Sequence, residues 1–249
     1  MHSSCWAPVE TAGLQIQSRE NCLICSEALE YYQAGKDLTC MKCTKKEKGY
    51  VNCPNGHYVC DDCHGEERFD EIVSMIYKAE GINPFVIANE LIKESNIPML
   101  GCEHAWIAAG ALTIAIRNEK TIKIEKEDID EALNRTRKQA IGAYCGLTGI
   151  CGIAPAIGSV YSVILGAACP KDKETSNTMY VVAKVIEAIS KEAGPCCCKN
   201  FVYKALDVAC EYSYEYLNVK LESSYDILCE DSSRHPHGCR KEKCSYYGE

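Results

Sequence analysis

Eight potential metal ligands crowd into the first quarter of the chain at the spacing of zinc modules: Cys22-x2-Cys25, Cys40-x2-Cys43, then Cys53-x3-His57-x2-Cys60-x2-Cys63, with His64 adjacent. A Cys-x2-Cys pair lets two thiolates reach one ion from a tight turn, and two such pairs complete a tetrahedral site. The apolar runs between them, Leu29 to Tyr32 and Tyr58 with Val59, are too short to form a core, so this stretch needs a staple in order to fold. Two partitions of the ligands are open. In a sequential one, Cys22, Cys25, Cys40 and Cys43 hold one ion and Cys53, His57, Cys60 and Cys63 another. In a cross-braced one, as in RING-type folds, the pairs interleave. Zinc is the expected metal, with rubredoxin-like iron the alternative for an all-cysteine set. Either site is closed by four protein ligands, so its work is folding and surface presentation. His64 reads as an outer partner or as an exposed residue.

The chain holds 19 cysteines in 249 residues. A secreted chain with that load would suggest a disulfide framework. Against this stand the odd number, the absence of a signal-peptide pattern at the start, and the run Cys196-Cys197-Cys198, whose neighbours bridge one another poorly. The expectation is a cytoplasmic protein of an anaerobe. The net charge of -8 argues against a nucleic-acid partner, which wants a basic face. Lys42, Lys45, Lys46 and Lys48 read as a solvated knuckle. Residues 139–170 carry no charge and raise the question of a membrane span, but Gly142, Gly146, Gly149, Gly152, Gly158, Gly166 and Pro155 point to a turn-rich, buried element instead, with no membrane partner.

The chain divides into an arm over 1–20, where Cys5 is a stray ligand candidate, a zinc-binding module over 21–65, a helical domain over 66–222 and a Cys/His-containing tail over 223–249. After residue 65 no strand pattern appears. Phe69, Ile72, Val73, Ile76 and Tyr77 recur at helical spacing up to Gly81, and Asn83-Pro84 opens a second helix ending before Pro98. Further helices are expected over Glu103 to Arg117, Asp128 to Lys138, Ala156 to Ala167, from a cap at Thr175 or Ser176 to Gly194, and over Cys197 to Leu217. The fold class is therefore mainly α: a helical bundle domain preceded by a small zinc-binding module of ribbon, knuckle or RING-like type.

Three clusters in the helical domain carry chemistry. Gly101-Cys102-Glu103-His104 opens a buried helix. Cys145 and Cys151 sit among glycines that allow close backbone approach. Cys196, Cys197 and Cys198 lie where a loop feeds a helix N-terminus, whose dipole, with Lys199 beside it, favours a thiolate. Consecutive thiols diverge in direction, so no more than two of the three are expected at one centre. Glu103, His104 and Lys199 are candidate catalytic groups, although a hydrogen-bonded structural role suits Glu103 and His104 equally. Cys169 and Cys210 read as core. In the tail, Cys229, Cys239 and Cys244 with His235 or His237 offer a further metal set.

Taken in order, Cys53-Pro-Asn-Gly-His-Tyr-Val-Cys60-Asp-Asp-Cys63-His64, Gly101-Cys-Glu-His104, Cys145-Gly-x3-Gly-x-Cys151-Gly and Gly-Pro-Cys-Cys-Cys-Lys199 resemble an uncharacterised cysteine-rich domain family of anaerobic archaea and bacteria, found alone or appended to radical-SAM or methyltransferase domains. The resemblance runs from about Asn21 to Tyr247. Where the family tends to Gly-Pro-Glu-His-His, this chain has Cys102 and Ala105, which removes a second histidine. Where it tends to Gly-Pro-Arg-Cys-Cys-Lys-Arg, this chain has Cys196 and Asn200, which adds a thiol. The family implies no settled activity.

Together these features lead to a cysteine-rich metalloprotein with structural zinc and a 4Fe-4S cluster held by Cys145, Cys151 and the Cys196, Cys197, Cys198 turn. Such a centre suits sulfur transfer, desulfuration or cluster handling, as an enzyme of lyase or sulfurtransferase type. The rival is a non-enzymatic zinc-binding adaptor docking on a partner enzyme. Expected partners are a protein or a small thiol or sulfur-containing substrate, with a homodimer open.

Overall fold

The computed structural model describes residues 21–248 except 23, 96, 143, 193–195, 224–225 and 236–237, and for residues 31, 33, 61, 62 and 64 the backbone alone. The arm over 1–20 with Cys5, the loop residues Gly194 and Pro195, His237 and the side chain of His64 lie outside the described residues. The chain separates into two compact units that divide between Glu71 and Ile72.

The first unit is built on an antiparallel hairpin of β1 (Glu30–Thr39) and β2 (Lys46–Asn52), paired from Glu30↔Asn52 to Thr39↔Lys46 with a bulge between Tyr31 and Lys36. The Cys40-x2-Cys43 turn is the hairpin tip, closed by Cys40 N–H to Lys45 O (2.9 Å) and Thr44 N–H to Cys40 O (2.9 Å). After β2 the chain turns at Cys53 to His57 and runs back along the hairpin, so that Met41 N–H donates to Tyr58 O (2.9 Å). Gly49 lets it pass, because a Cβ there would stand 2.7 Å from Leu38 Cδ1 and 3.0 Å from the Tyr58 ring. The short apolar runs of the sequence did not announce this hairpin. It is held by backbone pairing and ligand turns more than by apolar periodicity.

The second unit is helical. It comprises the later part of α1 (Asp61–Lys78), then α2 (Pro84–Glu94), α3 (Glu103–Glu119), α4 (Lys126–Gln139), the short α5 (Tyr144–Thr148), α6 (Ile153–Leu165), α7 (Asp172–Ser190) and α8 (Cys198–Leu217). The protein is thus mostly helical with one small two-stranded sheet, as its periodicity predicts. α3 is uncharged and buried from His104 to Ile116, and it packs against α2, α4, α6 and α8. A helix apolar on every face belongs at the centre. Each fully buried side chain on it, such as Ile107, Leu112 or Ile114, stabilises by about 1.5–3 kcal/mol.

Local signals set the ends. Asn83 Oδ1 accepts from Phe85 N–H (3.0 Å) and Pro84 occupies the first turn of α2. Asp128 Oδ2 accepts from Glu125 N–H (2.9 Å) at the start of α4. α6 stops at Gly166 (φ 66°). One expected start is displaced: α7 begins at Asp172, so Thr175 and Ser176 lie inside it, and the Thr175 hydroxyl donates back to Ala168 O (2.8 Å). The uncharged 139–170 stretch is α5, a turn and α6; only α6 packs against α3, α4, α7 and α8, whereas α5, expected to be buried, buries no residue, and no helix of the described residues is long and apolar enough to cross a membrane. Cys169, expected in the core, is exposed in the turn between α6 and α7 because the apolar face of α6 has ended before it.

The chain after α8 has one isolated bridge and little more regular structure: Cys229 pairs with Tyr247, and three-residue 3-10 turns cover Ser232–Arg234 and Lys241–Lys243. It belongs to the helical unit, joined to α8 by Lys199 Nζ–Asp231 Oδ2 (2.7 Å) and by the Tyr203 and Tyr246 rings at 5.1 Å.

Candidate metal centres

In the first unit the eight expected ligands form two sets. Cys22, Cys25, Cys53 and His57 bring one ligand atom each within 4.8 Å of one another, and so do Cys40, Cys43, Cys60 and Cys63. This is the cross-braced partition, and the hairpin dictates it. Strands of this length hold their two ends roughly 20 Å apart, so the pair before β1 cannot share an ion with the pair at the tip. Antiparallel return brings Cys53 and His57 beside Cys22 and Cys25, and the segment running back delivers Cys60 and Cys63 to the tip.

Distances inside the sets suit one ion each: Cys22 Sγ–His57 Nδ1 is 3.6 Å, Cys25 Sγ–Cys53 Sγ 3.4 Å and Cys43 Sγ–Cys60 Sγ 3.5 Å. A tetrahedron built on zinc–sulfur bonds of about 2.3 Å spaces its sulfurs at roughly 3.8 Å. The amide two residues after the first cysteine of each turn donates to its sulfur: Ile24 to Cys22 (3.4 Å), Lys42 to Cys40 (3.4 Å) and Asn55 to Cys53 (3.4 Å). Such bonds orient a sulfur and favour its ionised form. The thiols act strongly on one another. The Glu27 amide, helped by the Asn55 side chain, draws Cys25 down to about 6, whereas the sulfurs of Cys43 and Cys60 push Cys63 up to about 12. Thiolates so crowded ionise together only around a cation.

In the helical unit the loops before α6 and α8 lie at one end of that packed pair. Cys145 comes from α5, Cys151 from the turn before α6, Cys196 from the loop before α8, and Cys198 is the first residue of α8. Cys145 Sγ and Cys196 Sγ stand 4.0 Å apart. Cys145 also acts on Cys151, and Cys151 and Cys198 act on Cys196, so the four thiols share one neighbourhood. Among the described residues only the two N-terminal sets bring three or more ligand atoms all within 4.8 Å, so this group is more widely spaced. Gly152 lets it form: a Cβ there would meet Ala140 Cα at 2.9 Å.

The middle one of the contiguous thiols belongs to another set. Cys197 is the N-cap residue of α8, and the thiols acting on it are Cys229 and Cys244. The thiolate expected at this helix start meets an opposing force. Burial raises Cys197, with the Asn200 amide pulling the other way. For Cys196 the Cys145 sulfur pulls down, but Cys198 and burial outweigh it and leave it at about 12. Desolvation and neighbouring thiols therefore beat the helix terminus.

Of the candidate catalytic groups, Lys199 acts on Cys229 of this other set, and His104 lies beside Lys199. His104 is buried, its Nδ1 3.3 Å from Gly101 O, and burial lowers its pKa to about 4, so the ring is neutral near neutral pH. Lys199 is 3% exposed and ion-paired with Asp231, and both act on His104. Glu103 is half-buried, its carboxylate folded against Gly101. Sequence reading missed Asp231, Asn200 and Arg240, since nothing in a local pattern ties them to residues far away in the chain. Of the expected core cysteines, Cys210 is half-buried and raised to about 12 by burial.

Fold and sites together define a mainly helical, cysteine-rich protein whose small N-terminal module has the ligands for two metal ions. Residues 72–247 match the model of a family of unknown function (DUF5714), and since that span is most of the chain, the protein belongs to this family. The match begins where the helical unit begins and leaves the N-terminal tetrads outside it. No curated protein and no solved structure matches the chain.

Proposed function

We propose that the protein is a cluster-handling metalloprotein: two structural zinc ions in the first unit, and in the helical unit an iron–sulfur cluster on Cys145, Cys151, Cys196 and Cys198. The observation that carries this reading is the gathering of four thiols from α5, the turn before α6 and the start of α8, no three of which lie all within 4.8 Å as the tetrad ligands do. A single zinc ion wants its sulfurs close, whereas a cluster of several atoms holds its ligands further apart. When bound, the cluster supplies redox or sulfide chemistry, and the chain supplies soft ligands and a partly open setting.

The surroundings favour exchange with a partner over enclosed catalysis. Ile141, Tyr144, Leu147 and Ile150 flank the two cysteines of the α5 region and are 46%, 45%, 67% and 51% exposed. An apolar collar around a solvent-reachable centre suits a protein that receives or hands on a cluster in a reducing compartment. His104 and Lys199 couple to Asp231, which favours a structural role for both.

The test is purification without oxygen followed by zinc, iron and acid-labile sulfide analysis. Iron and sulfide are expected in the wild type, and Cys145→Ser or Cys151→Ser should lose both while keeping the N-terminal zinc. A colourless wild type carrying zinc alone would overturn the cluster and leave the adaptor reading.

A further inference from the structure

We infer that Cys197, Cys229 and Cys244 form a further metal site, taking one soft divalent ion of the zinc type and stapling the C-terminal segment to the start of α8. It is separate from the cluster proposed above and stands or falls without it.

Four observations converge. The first is juxtaposition: Cys229 and Cys244 both act on Cys197, and Cys244 acts on Cys229. The parallel bridge between Cys229 and Tyr247, with Cys229 N–H donating to Tyr246 O at 2.7 Å, sets one tail strand beside the other. Asn200 Nδ2 donates to Cys244 Sγ at 3.4 Å and so ties that sulfur to the first turn of α8.

The second is the turn. The Asp231 amide, two residues on, favours the Cys229 thiolate as the Ile24, Lys42 and Asn55 amides favour those of three tetrad cysteines. The third is an unanswered polar atom: Asn200 is 2% exposed, and its Oδ1 has no hydrogen-bond partner among the described residues. That oxygen is available to the ion or to water bound on it. Of the two histidines expected here, His237 lies outside the described residues, and His235 has its Nε2 3.0 Å from the Cys196 carbonyl, which leaves only Nδ1 for an ion.

The fourth is what the tail lacks. From 226 to 248 the only buried residues among those described are His235 and Arg240, both polar. No apolar side chain there is buried to offset the entropy of ordering the segment. Its buried charge pairs, Lys199–Asp231 and Arg240–Glu192, recover little beyond their own desolvation. A segment of this length without a core is the case that a metal staple serves. The three sulfurs do not all lie within 4.8 Å of one another, so closing them on one ion asks the tail to shift, and its three-residue turns offer little resistance.

The full chain, purified without oxygen, is expected to carry one zinc ion beyond the two of the tetrads, and the double variant Cys229→Ser/Cys244→Ser to lose that ion with iron and sulfide unchanged. Equal zinc in variant and wild type overturns the site; loss of iron and sulfide with the zinc retained places these thiols on the cluster and overturns it too. Should the variant fail to fold, alkylation of the wild type decides. Cys197, Cys229 and Cys244 should resist iodoacetamide until zinc is chelated and then react together, while exposed Cys169 reacts throughout. Reaction without chelation, protection that persists after zinc removal, or protection relieved by reductant with no zinc released (a disulfide) each overturns it.

Discussion

His104, at 1% exposure, opens α3 as a neutral ring, and its protonation is opposed by burial more than it is helped by the Gly101 carbonyl. A histidine whose folded pKa lies near 4, against about 6.5 unfolded, leaves stability untouched above pH 6.5. Below that the unfolded chain takes up a proton that the folded chain refuses, so stability falls between pH 6.5 and 4, by roughly 3 kcal/mol in all. Chemical denaturation of the wild type and of His104→Gln across this window should show the extra acid sensitivity in the wild type alone. Gly152 is the other telling residue. Alanine there drives a methyl against the Ala140 backbone, and because Gly152 is the N-cap of α6, where alanine returns no helix propensity, Gly152→Ala should cost about 1–3 kcal/mol in thermal or denaturant unfolding.

At the scale of the element, the β1–β2 hairpin decides which cysteines share an ion. Paired substitutions test it by metal count. Cys22→Ser with Cys53→Ser strikes one set and should remove one zinc ion, whereas Cys22→Ser with Cys40→Ser strikes both sets and should remove two. A sequential arrangement gives the reverse. The contiguous thiols make the matching point in α8: Cys196 and Cys198 flank the helix start on the side of Cys145, and Cys197 faces the tail. Divergence of neighbouring residues was legible from backbone geometry alone. Which thiol went which way depended on the docking of the tail.

At the scale of the whole molecule, the two units rest on different forces. The helical unit buries α3 among four neighbours and has its own core, while among the described residues of the first unit up to Val59 the buried apolar ones are ligand cysteines, Cys22, Cys40 and Cys53. Chelation of a chain reduced throughout should therefore melt the hairpin and spare the helices. Amide exchange ought to show β1 and β2 losing protection with α3 and α6 unchanged, and far-ultraviolet circular dichroism ought to retain most of its helical signal. Simultaneous loss of both would mean that the helical core depends on the metal.

Periodicity and punctuation were enough for the helices, because an apolar repeat at helical spacing, an Asn-Pro start or a glycine stop acts within one turn of the chain. Ligand spacing was likewise enough to mark the eight N-terminal residues, since two thiolates on one tight turn are a local arrangement. The partition of those ligands was beyond local reading: Cys25 and Cys53 meet only because an antiparallel hairpin folds between them. The same holds for Cys145 beside Cys196 and Cys197 beside Cys229, pairs joined by loops whose course is set by how α6, α8 and the tail pack. Spacing along a chain sets which residues can ligate, and only closure of the chain in space sets which of them do so together.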